Sequence, residues 1–249
     1  MLMESTSTAP SDQYRRSVLG VPVDACRDVQ AAAIGLHARG GGQIVTLNAE
    51  MTMAARENPR LGDAIAAADL VIPDGIGVVW ALRRQGVVVP RSPGIELARS
   101  LLAYAEAHDW KVALVGATPQ VMDRLRQFLK QDLPALRLVM SSHGYQPQDA
   151  WPGMEAKLRA LHPDLVLVAL GVPRQETWIP RVRRACPGLW MGVGGSFDVW
   201  AGMKKRAPQW MCHLGLEWLY RLGQEPSRWN RILCLPTFVW EVWRRGKKR

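Results

Sequence analysis

Ala68-Asp-Leu-Val-Ile-Pro-Asp74 is followed at once by Gly75-Ile-Gly77 and a helical pattern that runs from Ile76 to Arg84. An apolar run this short, with no polar alternation, reads as a strand covered on both faces, which is the habit of parallel sheets. The same unit recurs on either side. Gln43-Ile-Val-Thr-Leu-Asn48 leads into a helix expected over about Glu50 to Ala67. Lys111-Val-Ala-Leu-Val-Gly116 precedes a helix over Pro119 to Lys130, and Leu136 to Ser142 precedes one over Ala150 to Leu161. Asp164 to Gly171 leads to a helix beginning near Gln175, and Trp190-Met-Gly-Val-Gly-Gly195 closes the series. Strands alternating with helices and joined by right-handed crossovers make a parallel sheet with helices on both faces.

The expected fold class is therefore α/β, a Rossmann-like three-layer parallel sheet sandwich. The expected domains are a flexible N-terminus over 1–17, a catalytic α/β domain over 18–207, and a helical appendage over 208–249. Helices are expected from Trp210 to Leu222 and from Ser227 to Leu235 in that appendage. In such sheets ligands sit outside the carboxyl ends of the strands. Those ends here are Thr46, Asn48, Asp74, Gly116, His143, Tyr145, Gly171, Gln175, Gly194 and Asp198.

The chain has 249 residues, 48% of them hydrophobic, and a formal net charge of +10. From Lys204 onward there are eleven Lys/Arg against three acids, Glu217, Glu225 and Glu241, so the last stretch carries +8 of that charge. Six of the eleven Trp lie at or beyond Trp200. A basic, Trp-rich tail fits an anionic membrane surface, and equally a surface that only keeps a protein soluble. The apolar run Ile232 to Trp243 contains Pro236 and Glu241 and falls short of the ~20 residues needed to span a bilayer. Met1 to Gln13 has no apolar core of a signal peptide. The four cysteines form no Cys-x-x-Cys pair, and neither a disulfide framework nor a zinc site is expected. The expected location is the cytoplasm, with peripheral attachment to the inner face of the cell membrane.

No GxGxxG, P-loop or Asp-x-Asp sequence occurs, so no dinucleotide cofactor and no metal is expected. Asp74 ends a strand between apolar residues and glycines, where a carboxylate can take a proton from an attacking hydroxyl. It can equally cap the helix that starts at Ile76.

Six short motifs carry a resemblance. Thr46-Leu-Asn48, Pro73-Asp-Gly-Ile-Gly77, Gly171-Val-Pro-Arg-Gln-Glu176, Gly192-Val-Gly-Gly-Ser-Phe-Asp198, Arg206-Ala-Pro208 and Gly215-Leu-Glu-Trp-Leu-Tyr-Arg221, continuing to Glu225-Pro226 and Arg228, resemble the WecG/TagA/CpsF glycosyltransferases in order and spacing. The resemblance runs from about Val18 to Ile232. It implies an inverting, metal-independent transfer from a UDP-sugar to a saccharide on undecaprenyl diphosphate, in cell-surface polysaccharide synthesis. The sugar implied is N-acetylmannosamine, its uronic acid or glucose.

Residue by residue, the resemblance implies that Asp74 is the general base and that Thr46, Asn48 and Gln175 line the sugar pocket. Tyr145 is implied beside the uracil and Asp198 at the ribose. Gly171 and Gly194 belong to the substrate-binding loops. Arg221, Arg228 and Arg231 are implied as catalytic arginines of an appendage that folds over the site and meets the membrane. Where the family commonly has Arg-Val-x-Gly-x-Asp, the chain reads Arg91-Ser-Pro-Gly-Ile-Glu96. Arg91 is kept as a substrate-binding residue. A homo-oligomer is left open. The competing classes are a basic nucleic-acid-binding protein, which leaves Asp74 and Asp198 unexplained, and a nucleotide-sugar oxidoreductase, which lacks its fingerprint.

Overall fold

The structure, a computed structural model, describes residues 14–226 and 229–246; the side chains of His213, Asn230 and Arg231 lie outside that description. Six strands form one wholly parallel sheet: β3 (Gly41–Leu47), β4 (Leu70–Pro73), β5 (Val112–Gly116), β6 (Leu138–Ser142), β7 (Leu165–Ala169) and β8 (Gly188–Gly192). Their order across the sheet is β4-β3-β8-β7-β5-β6. Each expected strand is present, and the α/β class follows as expected.

Alternate residues of each strand feed opposite faces, as the pleat requires. On one face Ile44, Ile72, Leu114, Leu167 and Met191 pack with α1 (Val29–Ala38), α5 (Gly94–Ala107), α6 (Pro119–Asp132) and α9 (Ser196–Trp200). On the other, Ala113, Val115, Val166, Val168 and the fully buried Trp190 pack with α7 (Ala150–Leu161) and α8 (Arg174–Arg183). Val45, Leu47 and Val71 on that second face meet α2 (Ala49–Glu57), α3 (Pro59–Ala66) and α4 (Ile76–Arg84). The continuous apolar runs are thus the signature of burial on both faces.

Several elements have no counterpart in the sequence reading. A hairpin of β1 (Arg15–Val18) and β2 (Val21–Asp24) begins three residues ahead of the boundary expected at 18. It covers the edge strand β4: Asp24 Oδ2 accepts from the Val71 backbone N–H at 2.7 Å, and Arg15 bonds both Asp24 carboxylate oxygens. An edge strand whose backbone donor is met this way does not recruit another chain. Helices α1, α5 and α9 and the last helix, over Cys234–Gly246, are the others, and α5 contributes directly to the site.

Two expected helices are broken. The helix over Glu50 to Ala67 is two helices, because Pro59 cannot donate a backbone bond and Asn58 caps the second at the Leu61 N–H. The helix over Trp210 to Leu222 is likewise α10 (Gln209–His213) and α11 (Glu217–Gln224), interrupted at Gly215 with φ of +72°. Beyond it come α12 (Trp229–Ile232) and α13 (Cys234–Gly246). The last helix packs onto the domain: Phe238 and Val242 are buried in the cluster with α2 and α4. No helix among the described residues is long and apolar enough to cross a membrane.

Candidate active site

Strand β4 delivers Asp74 to the carboxyl edge of the sheet, and β3 delivers Asn48 next to it. Asn48 is the cap of α2: its Oδ1 accepts from the Met51 N–H at 2.8 Å. That leaves the Asn48 amide NH2 as the donor available to the cavity it lines.

Asp74 does not cap α4, whose start at Gly75 has no side-chain cap. Its Oδ1 accepts instead from the Gly94 N–H at 3.0 Å, the first residue of the 14-residue helix α5. The loop from Arg91 to Gly94 therefore wraps Asp74 from both ends. Arg91 Nε donates to the Asp74 carbonyl at 2.8 Å while Gly94 holds the carboxylate. Gly94 has to be glycine here, since a Cβ would lie 2.7 Å from Thr46 Cγ2. Thr46 is thereby placed beneath this loop.

Burial pushes the Asp74 carboxyl above the ordinary aspartate value, and Glu217 adds to that; Arg221, the Gly94 N–H and Arg91 act against it without winning. A carboxylate raised in this way is a better proton acceptor than one in water.

Glu217, at the start of α11, is buried and bonds both arginines of the site, Arg91 through one carboxylate oxygen and Arg221 through the other. Burial alone would raise its pKa, but Arg221 and Arg91 hold it below the ordinary glutamate value. Arg91 also donates to the Cys212 carbonyl at 3.3 Å. The appendage is thus fastened to the Asp74 loop by a three-residue ion cluster. Just ahead of the appendage, Arg206 pairs with Glu96 of α5.

Asn48, Asp74, Arg91, Glu217 and Arg221 line one cavity of about 880 Å³. Its outer wall is apolar, formed by α11, α12 and α13.

The remaining expected site residues lie further along the edge. Gln175 is fully buried, and its amide is spent internally: Oε1 accepts from the Gly171 N–H at 3.1 Å and the Gly194 N–H at 3.3 Å, and Nε2 donates to Glu176 at 2.7 Å. It holds the two glycine loops at the ends of β7 and β8 in register. Burial pushes its neighbour Glu176 up to about 7. Asp198 sits on α9, 3.7 Å from the Lys204 ammonium. Tyr145 is 72% exposed beyond β6, and the Gly144 N–H before it donates to the Ala117 carbonyl at 2.9 Å, which turns this loop back over the end of β5. Next to it, His143 Nδ1 is buried with no hydrogen-bond partner. Arg228 lies outside the described residues, as does the Arg231 side chain.

Sequence reasoning missed the function of Glu217, although it stood inside a quoted motif. Its spacing to Arg221 signals a helical pair, but nothing local ties it to Arg91, 126 positions earlier. Among the described residues no group of three His, Cys, Asp or Glu is arranged to hold a metal ion.

A parallel sheet whose carboxyl edge carries a carboxylate of raised pKa, arginines and glycine loops beside a large cavity is the arrangement of an α/β enzyme. The comparisons make the class specific. The chain belongs to the glycosyl transferase WecG/TagA/CpsF family, whose model matches residues 16–249, and it is a glycosyltransferase. It is 38% identical over 204 residues to an N-acetylglucosaminyldiphosphoundecaprenol N-acetyl-beta-D-mannosaminyltransferase of Bacillus spizizenii, covering 81% of this chain and 79% of that one. It is 36% identical over 211 residues to the protein of the same name in Bacillus subtilis, covering 84% and 82%.

Proposed function

We propose that this chain moves a hexosyl unit of the N-acetylmannosamine, mannosaminuronic acid or glucose type from a UDP-sugar to a saccharide on undecaprenyl diphosphate. The reaction is an inverting, metal-independent displacement, serving cell-surface polysaccharide synthesis. The acceptor class is supported by the two relatives, whose name specifies a diphosphoundecaprenol substrate. The observation that carries the mechanism is Asp74: a carboxylate kept basic by burial, opening on a cavity shared with two arginines. It takes the proton of the attacking acceptor hydroxyl. Two other carboxylates, Glu50 and Glu217, line the same cavity, and both oxygens of Glu217 are occupied by Arg91 and Arg221.

The leaving UDP needs positive charge where its own charge develops. Arg221, whose side chain is about half exposed and gives one nitrogen to Glu217, turns the rest of its fork to the cavity. Arg228 and Arg231 are assigned the same task. The donor lies along the edge, with its diphosphate at the Gly171 and Gly194 loops that Gln175 holds and its ribose toward Asp198. Its uracil lies at Tyr145 and the partnerless His143 nitrogen.

The appendage over 208–249 is assigned the membrane contact. Helix α13 buries Phe238 and exposes Val239, Trp240 and Trp243 beside Arg244 and Arg245, an interfacial pattern. In this reading the enzyme sits at the inner, anionic leaflet of the membrane.

The test is mass spectrometry of products from a panel of UDP-sugars, with a short-chain lipid-diphosphate sugar as acceptor. One sugar is expected to be transferred, and to go on being transferred in excess EDTA. Strict dependence on added Mg²⁺ or Mn²⁺ would refute the arginine-based account. At the base end, Tyr145→Ala is expected to lose about 1–3 kcal/mol of UDP affinity, the worth of a base–aromatic stack, while Tyr145→Phe keeps it. Because Tyr145 is so exposed, the fold does not depend on it. Equal calorimetric affinity for wild type and Tyr145→Ala would remove it from the site.

A further inference from the structure

Fourteen large hydrophobic side chains are exposed among the described residues, and seven of them line the single cavity that holds Asp74. Trp218, Trp229, Leu233, Val239 and Trp240 are among the seven. Apolar patches of this kind, gathered rather than scattered, mark a binding surface. The arrangement is graded from end to end. The floor is polar, with Asn48, Glu50, Asp74, Arg91, Glu217 and Arg221, and the wall supplied by the three last helices is apolar.

At about 880 Å³ the cavity is near the upper end of ligand-sized sites. Its shape suits neither of the alternative occupants. A flat bilayer cannot follow the apolar wall inward to a buried carboxylate, and a second copy of the chain would have to bring a complement to both ends. An amphiphile with an anionic head and a hydrocarbon tail matches the gradient in one molecule.

We propose that this cavity binds the prenyl chain of the acceptor lipid diphosphate, so that the first isoprene units are held by protein rather than by the bilayer. The inference rests on the lipid-linked acceptor of the proposed function and adds where its hydrocarbon goes. The head group sits at the polar floor, where the saccharide hydroxyl reaches Asp74, and the chain leaves between Trp218, Leu233 and Val239 toward the exposed Trp240. Holding the first units fixes the hydroxyl against the base, which membrane attachment alone does not do.

The test uses the full chain in detergent-free buffer, with farnesyl diphosphate and methyl diphosphate as probes and calorimetry as the readout. Wild type is expected to bind the farnesyl compound at least about tenfold more tightly, since several methylene equivalents leave water. The double variant Leu233→Gln/Val239→Gln is expected to collapse that ratio toward one. Both side chains are more than half exposed, so the fold does not rest on them. Leu219→Gln, exposed but outside the cavity, is expected to keep the ratio.

Equal affinity of wild type for the two probes overturns the proposal, as does a double variant that retains the ratio. If wild type binds anionic vesicles yet shows no preference for farnesyl diphosphate, the wall is a bilayer contact only and the proposal is again overturned. Binding is read without turnover, which separates it from the transferase reading. Chain-dependent binding with no sugar transfer would leave the cavity assignment standing and sink the proposed reaction. Transfer with a KM independent of chain length would do the reverse.

Discussion

Asp74→Asn is expected to lower sugar transfer about 10²-fold or more while leaving UDP affinity and the fold in place. Asparagine keeps the oxygen that accepts from the Gly94 N–H, so the Arg91 to Gly94 loop has no reason to move. What is lost is the ability to take a proton from the acceptor hydroxyl. Stability provides an independent check with a definite sign. The Asp74 pKa is higher in the folded chain than in the unfolded one, so the folded state binds the proton more tightly. The fold is therefore favoured below the unfolded value of about 3.9, and that advantage is lost as pH rises through the folded value. Ionising Asp74 in the folded chain therefore costs stability, and above the folded value Asp74→Asn is expected to melt at or above the wild-type temperature. Lost activity with an equal or higher Tm identifies a group kept for chemistry. Near-normal turnover by the folded variant would end the assignment of Asp74 as base.

Glu217→Gln is expected to act on both stability and rate. Its carboxylate neutralises Arg91 and Arg221 together, and removing one partner of a buried ion cluster is strongly destabilising. Because the Arg221 side chain is about half exposed, water screens part of the loss. A cost of about 1–3 kcal/mol remains, or several degrees in Tm for a chain of this size. The pH dependence follows from the lowered Glu217 pKa. A depressed carboxylate contributes stability above its unfolded value of about 4.3, and loses it as pH falls through the folded value. The deficit of Glu217→Gln should therefore be full at neutral pH and shrink in acid. Transfer is expected to fall about tenfold or more, because displacement of catalytic groups by an ångström is enough to do so. A purely structural role would stop there. Glu217 also raises the Asp74 pKa through its charge, so in the variant the acid limb of the pH–rate profile should move to lower pH. A profile that keeps its acid limb, measured on the residual activity, would show that Glu217 does not act on the base.

The ion cluster also changes how the C-terminal segment is understood. Its charge and tryptophans read equally as a membrane anchor or as a soluble surface, and the structure assigns different residues of one helix to different tasks. Phe238 and Val242 pack on α2 and α4, while the exposed Val239, Trp240 and Trp243 line the cavity that holds Asp74. Removing everything after Leu235 would therefore open the core as well as strip the outer face. Single substitutions on that outer face are the informative ones.

The sequence by itself determined the sheet. Runs such as Leu165 to Ala169 are apolar at every position, and only burial on both faces accounts for that, so strand number, parallel direction and the edge bearing the site all followed. Asp74 at a strand end, and the family to which the chain belongs, followed from the same residues and their spacing. Local signals also placed α4 and α7 at their observed limits. Breaks at Pro59 and Gly215 were present in the sequence but were overridden by the apolar periodicity running across them.

Only the tertiary structure decided what those residues do to one another. Whether Asp74 caps the helix that follows it or one twenty residues later depends on where the Arg91 to Gly94 loop returns, and chain proximity says nothing about that. The roles of Glu217, Gln175 and the apolar cavity depend in the same way on contacts between segments far apart in the chain. Charge pairing, desolvation and cavity shape act over a few ångströms of space, whereas periodicity and capping act over a few residues of sequence. For that reason the architecture was readable along the chain, and the electrostatics of its site were not.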